Sequence, residues 1–359
     1  MTRLTHFALL LALVACGGDS PIEVDEDPRV IRGVDLDELF APPTSAEIAA
    51  VSDDWASRSP GVAGVVVEKD TAVVVGSDLV RVRVVSHLVD GALHYGAILS
   101  AVTPPGPTPV IVYAHGGDGG ATVEELLFLF SYLGAPPTDF VWVIPSFRSE
   151  SLGFAGSSWT SAGAASPWDR DVDDALALLE VALEVEASAD PGSIGVLGFS
   201  RGAGVGLLMS VRDERIDRVV DFFGPTDFFD VYAQERVAEA LRGDAYVLPG
   251  LAVLDARYLQ PLIDGDVTID EVRLEIVRRS PVLYVERLAD VQVHHGTADD
   301  VVDVSQAESL IAAMASIGRG PPGFDAYLYP GGMHNPLTLQ GSVARAAEFL
   351  VALRPVPTS

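Results

Sequence analysis

The 359-residue sequence contains one cysteine, Cys16, and one lysine, Lys69. A single cysteine excludes an intrachain disulfide and any cysteine-built zinc centre. Positive charge is scarce throughout, with 23 Lys and Arg against 51 Asp and Glu and a formal charge of −28. Nucleic-acid affinity comes mainly from Lys and Arg neutralising phosphates, so this balance argues against a nucleic-acid partner. The acidic surplus reads as a solvated surface. The arginine-over-lysine bias carries no mechanism. There is no H-E-x-x-H zinc motif, no P-loop and no internal repeat. What is present is apolar content: 48% hydrophobic residues allow a large buried core and exclude global disorder.

The lone cysteine is placed informatively. The chain starts Met1-Thr2-Arg3 and runs through an apolar stretch to Leu13-Val14-Ala15-Cys16. A short basic start, an apolar run and a small residue at its end make a secretory signal, and the run is too short to span a bilayer. Leu-Val-Ala-Cys resembles the lipobox of bacterial lipoproteins. The resemblance implies cleavage before Cys16, acylation of its sulfur and amine, and a lipid-anchored place in the cell envelope. Residues 1–15 are then the signal and 16–60 a tether and lead-in. Within the latter, 17–35 are rich in Gly, Asp, Glu and Pro, and 46–57 read as a short helix.

From residue 61 the pattern is that of one body. β-Branched runs at 65–67, 72–75 and 79–85 predict strands, and Asp90-Gly91 between two more predicts a hairpin. After the proline-rich 104–109 the elements alternate. Strands are predicted at 110–114, 140–144, 193–198, 218–223, 291–295 and 324–329. Helices are predicted at 122–133, 172–186, 202–211, 304–317 and 338–353. Alternation implies an α/β class, a mostly parallel sheet wound on both faces with antiparallel strands leading in. Residues 228–280 break the alternation and read as a helical insertion, cap-like over one end of the sheet.

The predicted strand 193–198 runs into Gly198-Phe199-Ser200-Arg201-Gly202 and then a small-residue helix. This is G-x-S-x-G in the setting that makes it a nucleophile elbow, with Ser200 lifted above the sheet edge. Serine needs a base, and the base an orienting carboxylate, in the chain order Ser, acid, His. Of the histidines after Ser200, His294 and His295 end a strand, whereas His334 follows the last one, where loops of such sheets carry function. His334 is therefore the expected base. Asp299 is the expected acid, with Asp300 and Asp303 as rivals, although Asp303 reads as a helix cap. Strand 110–114 ends in His115-Gly116-Gly117, a backbone suited to an oxyanion loop, and the amide of Arg201 would be the second donor. Asp118 beside this loop is unfavourable unless it points away.

Together these residues resemble the α/β-hydrolase superfamily, and within it the catalytic domain of the prolyl oligopeptidase family and related single-domain esterases, over roughly residues 80–353. The resemblance rests on His115-Gly116-Gly117, Ser146-Phe147-Arg148-Ser149, Trp168-Asp169 through Asp173-Asp174, the elbow, Ser280-Pro281, His295-Gly296-Thr297-Ala298-Asp299-Asp300-Val301-Val302 and Gly332-Met333-His334. It implies Ser200, Asp299 and His334 as a triad, with the Gly117 and Arg201 amides as oxyanion donors. Ser149 stands where the family has Gly, and Arg201 where it has Tyr or Gly. Fewer than 100 residues lie between the expected cleavage point and His115, too few for the peptidases' N-terminal propeller.

The expected function is a cell-envelope serine hydrolase cleaving a small ester, without cofactor or metal. A peptidase acting on short peptides is the rival, and a non-catalytic ligand-binding lipoprotein is a reading from another class. Two acidic patterns mimic calcium loops, Asp169 to Glu180 and Asp264 to Glu271. The first lacks the required glycine and reads as acids at a helix N-terminus; the second matches only half a loop.

Overall fold

The computed structural model describes residues 29–58, 61–134, 136–246 and 248–353. Cys16 and the predicted signal lie outside them. Nine strands form the main sheet: β1 (Val62–Val75), β2 (Asp78–Val89), β3 (Ala92–Ala101), β4 (Thr108–Ala114), β5 (Val141–Pro145), β6 (Ala189–Phe199), β7 (Ile216–Phe222), β8 (Asp290–Gly296) and β9 (Phe324–Tyr329). Their spatial order is β9-β8-β7-β6-β4-β5-β3-β2-β1. The strands from β4 onward pair in parallel, and β1 to β3 join antiparallel at one side. The β2–β3 connection is the Asp90-Gly91 turn, with Val89 opposite Ala92 and both turn residues at positive φ, 51° and 80°. That is the twist a two-residue hairpin requires.

Strands β4 to β8 are buried on both sides, and neighbouring residues feed different cores. Val110, Val112, Val196 and Val219 face one side and Ile111, Tyr113, Leu197 and Val220 the other. The first core is covered by α1 (Ser45–Ser57), α3 (Arg170–Val185), α4 (Arg201–Arg212) and α7 (Ser305–Ser316), the second by α2 (Val123–Leu133) and α8 (Ser342–Val351). Helix starts follow local chemistry. The Thr122 hydroxyl accepts from the Glu125 amide at α2, and Thr44 and Glu47 close a capping box at α1. Gly134, at φ 67°, ends α2.

Several elements differ from expectation, each for a visible reason. The runs 65–67 and 72–75 are one 14-residue edge strand, because the charged residues between them face solvent and two bulges absorb the register. A small sheet of Ala121–Thr122, Ser151–Phe154 and Ser157–Thr160 was not foreseen; two to four residues carry no readable period. The last helix begins at Ser342, since Gly341 sits at φ 76° after a 3-10 turn. The expected tether over 17–35 gives way at Arg29 to ordered chain. Val30–Ile31 and Val34–Asp35 pair as a hairpin, and Asp35 caps a short helix, Leu36–Leu39, with both leucines buried.

Residues 228–280 are helical, chiefly α5 (Val231–Arg242) and α6 (Ile269–Val277). Arg273 of α6 ties this segment to the N-terminal one: its guanidinium donates to the carbonyls of Glu38, Leu39 and Ala41 at 2.9 Å each and pairs with Glu47 at 2.7 Å. Glu271, the end of the second calcium-like pattern, instead closes a capping box with Thr268.

Candidate active site

Ser200, Asp299, His334 and His115 all follow the carboxyl ends of parallel strands β6, β8, β9 and β4, the edge where open α/β sheets carry ligands. Ser200 joins β6 to α4 without a loop residue to spare, at φ 51° and ψ −120°, a conformation strained for any residue but glycine. The Ser200 amide donates to Phe222 O at 2.8 Å and fixes the turn to β7. Glycines are obligatory around it. A Cβ on Gly198 would stand 2.5 Å from Ala203 Cα, and one on Gly202 would strike the Ala114 carbonyl. Gly116 packs on the other side, where a Cβ would lie 3.2 Å from Ser200 Cβ.

His334 is brought to Asp299 by two interlocked loops. Gly296 and Gly332 are in contact without room for a Cβ, Ala298 N donates to Gly332 O at 2.8 Å, and Gly331 N donates to the Thr297 hydroxyl at 2.9 Å. His334 Nδ1 lies 2.8 Å from Asp299 Oδ2, and because a carboxylate only accepts, Nδ1 carries the proton and Nε2 is left free. Asp299 Oδ1 accepts from the Val301 and Val302 amides, both at 2.9 Å. Burial opposes its charge, but the His334 bond and those amides outweigh burial and hold the carboxyl below its ordinary range. The rivals lie elsewhere: Asp300 is exposed, and Asp303 accepts from the Ser305 amide at the start of α7.

His294, His295 and His115 serve the structure. His294 stacks on Phe222, bonds Tyr329 Oη at 2.8 Å and Gln292 Oε1 at 2.9 Å, and is pushed down to about 3, first by burial and then by Arg345. His295 Nε2 donates to Val302 O at 2.9 Å. His115 is fully buried, stacks on Phe147 at 4.6 Å and is held near 4 chiefly by burial, which suits the bracing role expected of it.

Ser200 and His334 open into one cleft of about 650 Å³, shared with Gly116 and Gly117. Gly117 adopts φ 71°, and Arg201 starts α4, where first-turn amides have no partner inside the helix. Gly117 lines the cleft with Ser200, and Arg201 follows Ser200 directly in the chain. Asp118 is exposed and does not line the cleft.

The sequence reading missed the Arg201 side chain. It is 1% exposed; Nε and Nη2 bond both oxygens of Asp171 at 2.8 and 2.9 Å, and Nη1 bonds Glu150 and the Gly117 carbonyl, the latter at 3.1 Å. One guanidinium thus fastens the glycine loop to the helix that follows the nucleophile. Burial raises Glu150 above its ordinary value, with the nearby Arg201 charge pulling the other way. The remaining acids of the first calcium-like pattern are also arginine partners: Asp169 to Arg58, Asp173 to Arg170 and Arg212, and Glu180 to Arg215. Asp174, which follows Asp173, pairs with Arg148. Alternating acids in a first helical turn are the signal the sequence offers, and dipole complementarity alone does not reveal their arginine partners.

No protein-family model and no curated protein matches the chain. Solved structures do. Acetyl xylan esterase 1 from Thermoanaerobacterium sp. JW/SL YS485 superposes with TM-score 0.56 and 18% identity, covering 94% of this chain and all of that one. Puromycin hydrolase gives 0.54 and 15% over 82% of this chain, and Porphyromonas gingivalis dipeptidyl peptidase 4 gives 0.51 and 14% over 79%. This chain has the α/β-hydrolase fold. It spans 48% and 43% of the last two proteins, so the hydrolase-fold likeness leaves more than half of each without a counterpart here.

Proposed function

We propose that this protein is a serine hydrolase that cleaves carboxylic esters through an acyl-enzyme. The observation that carries the reading is a serine on a strained elbow sharing one cleft with His334, whose Nδ1–H is bonded to a buried carboxylate. Ser200 Oγ attacks the ester carbonyl while His334 Nε2 takes its proton, and Asp299 holds the ring in the working tautomer. The Gly117 and Arg201 amides receive the negative charge that develops on the carbonyl oxygen. His334 then protonates the departing alcohol, and a water activated by the same nitrogen releases the acid.

A peptidase is the second reading, favoured by the likeness to puromycin hydrolase and a dipeptidyl peptidase. The ester reading is preferred because a likeness covering 94% of this chain and all of the other protein is to an esterase. Purified protein assayed against p-nitrophenyl acyl esters and against aminoacyl and dipeptidyl nitroanilides decides between them. Ester turnover at least 10²-fold above nitroanilide turnover is expected, on the order of 3 kcal/mol; the reverse order assigns a peptidase. We further propose, from the lipobox-like Leu13-Val14-Ala15-Cys16 alone, that a lipid on Cys16 anchors the protein in the cell envelope. Labelled palmitate should enter the wild-type chain in a bacterial host and not Cys16→Ser; equal labelling of both rejects the anchor.

A further inference from the structure

One wall of the catalytic cleft is apolar beyond what the chemistry at Ser200 needs. Phe128 and Tyr132, one turn apart on α2, line it with ring centroids 5.2 Å apart. Leu337 lines it from the loop after His334. All three remain substantially exposed, at 61%, 43% and 53%, beside an open cleft. Exposed apolar side chains gathered beside a cleft mark a ligand-binding groove or another interaction surface.

Polar lining groups are few. Outside Ser200 and His334, the polar side chains along the cleft are Glu125, Asn335 and two tyrosines. Asn335 Oδ1 accepts from the Leu337 amide at 2.9 Å. Glu125 accepts from the Tyr113 hydroxyl, whose proton is held far above the ordinary phenol range by burial and then by that carboxylate. A polyhydroxylated substrate would bring many hydroxyls that each need a partner, and Phe128, Tyr132 and Leu337 offer one hydroxyl between them.

From these observations, and resting on the ester-hydrolase reading above, we infer that the substrate is an ester carrying a bulky apolar group, on its acyl or its alcohol side, that lies along Phe128, Tyr132 and Leu337. An acetylated carbohydrate does not fit this wall. Covering it removes apolar area on both partners from water, and a few methylenes so covered change kcat/KM by about tenfold or more.

Two substrate series test this with the purified full-length protein. In one the acyl group grows from p-nitrophenyl acetate through butyrate to hexanoate. In the other the acetate is kept and the alcohol grows from ethyl to hexyl and 2-phenylethyl. At least one series should rise by about tenfold in kcat/KM, identifying the side that carries the group. The double variant Phe128→Ser/Tyr132→Ser should cut that ratio by about fivefold, and Leu337→Ser, from the loop after His334, is the second variant. All three positions are exposed, so their replacement does not open the core. Two flat series, a rise that survives both variants, or faster turnover of tri-acetylated xylopyranose than of every apolar ester overturns the inference. If no ester at all is hydrolysed and Ser200 takes no fluorophosphonate, the ester-hydrolase reading itself falls and the subsite falls with it.

Discussion

Replacing Ser200 with alanine should lower ester turnover by about 10⁴- to 10⁶-fold and abolish labelling by a fluorophosphonate probe. Asp299→Asn should cost about 10³- to 10⁴-fold in kcat, while Asp300→Asn should stay within about twofold. The asymmetry follows from the hydrogen bonds. Asp299 Oδ1 is fixed by the Val301 and Val302 amides and Oδ2 by His334. An asparagine keeps its oxygen on the two amides and therefore turns its NH₂ toward His334 Nδ1. That nitrogen must then accept, the ring proton moves to Nε2, and Nε2 can no longer take a proton from Ser200. Asp300 is exposed and makes no bond to His334, so the same change there alters nothing at the base. Retained labelling in Ser200→Ala rejects the nucleophile. A larger loss from Asp300→Asn than from Asp299→Asn reverses the assignment of the acid. Melting curves on each variant separate loss of chemistry from loss of fold.

The elements legible in the sequence are those whose signal is local. Strand 110–114 is wholly apolar because both faces of β4 are covered, and Asp90-Gly91 marks the β2–β3 hairpin because only such residues take two positive φ values cheaply. The elbow is legible for the same kind of reason. Gly198 and Gly202 are demanded by backbone contacts at fixed offsets from Ser200, so they appear as a short motif. His334 and Asp299 meet across 35 residues, yet the glycines that let their loops touch stand beside them in sequence, at 296 and 332. What was not legible depends on partners far apart in the chain. Phe128 and Tyr132 read as part of the apolar pattern of α2, and nothing local says that they face a cleft rather than a core. The ordered chain from Arg29 looks like a polar lead-in because its partners are distant: Leu36 and Leu39 pack into the core, and Arg273, 232–235 residues away, takes its carbonyls. The surplus of acid was read as surface, although Asp169, Asp171, Asp173 and Asp174 are buried against arginines. A charge count does not record pairing.

Arg201→Lys should reduce kcat by up to about 10²-fold with KM changed by less than about threefold, the loss expected when one oxyanion donor is displaced. The lysine retains the positive charge that Asp171 and Glu150 need, since leaving two buried carboxylates unpaired would threaten folding itself. It cannot, however, reproduce the planar fork. A single ammonium does not bond both oxygens of Asp171 while reaching Glu150 and the Gly117 carbonyl, as the guanidinium does through three nitrogens. The contact to be lost is the one to Gly117, because it is the neutral partner among charged ones. Gly117 then no longer holds its position relative to the start of α4, and the two oxyanion amides lose their fixed spacing. That damage is felt where charge develops in the transition state and little in the bound ground state, which is why kcat should move and KM should not. A merely structural Arg201 predicts a different result: a lower melting temperature with kcat per folded molecule intact. A KM that rises while kcat holds would likewise remove Arg201 from the oxyanion loop and make it a determinant of binding.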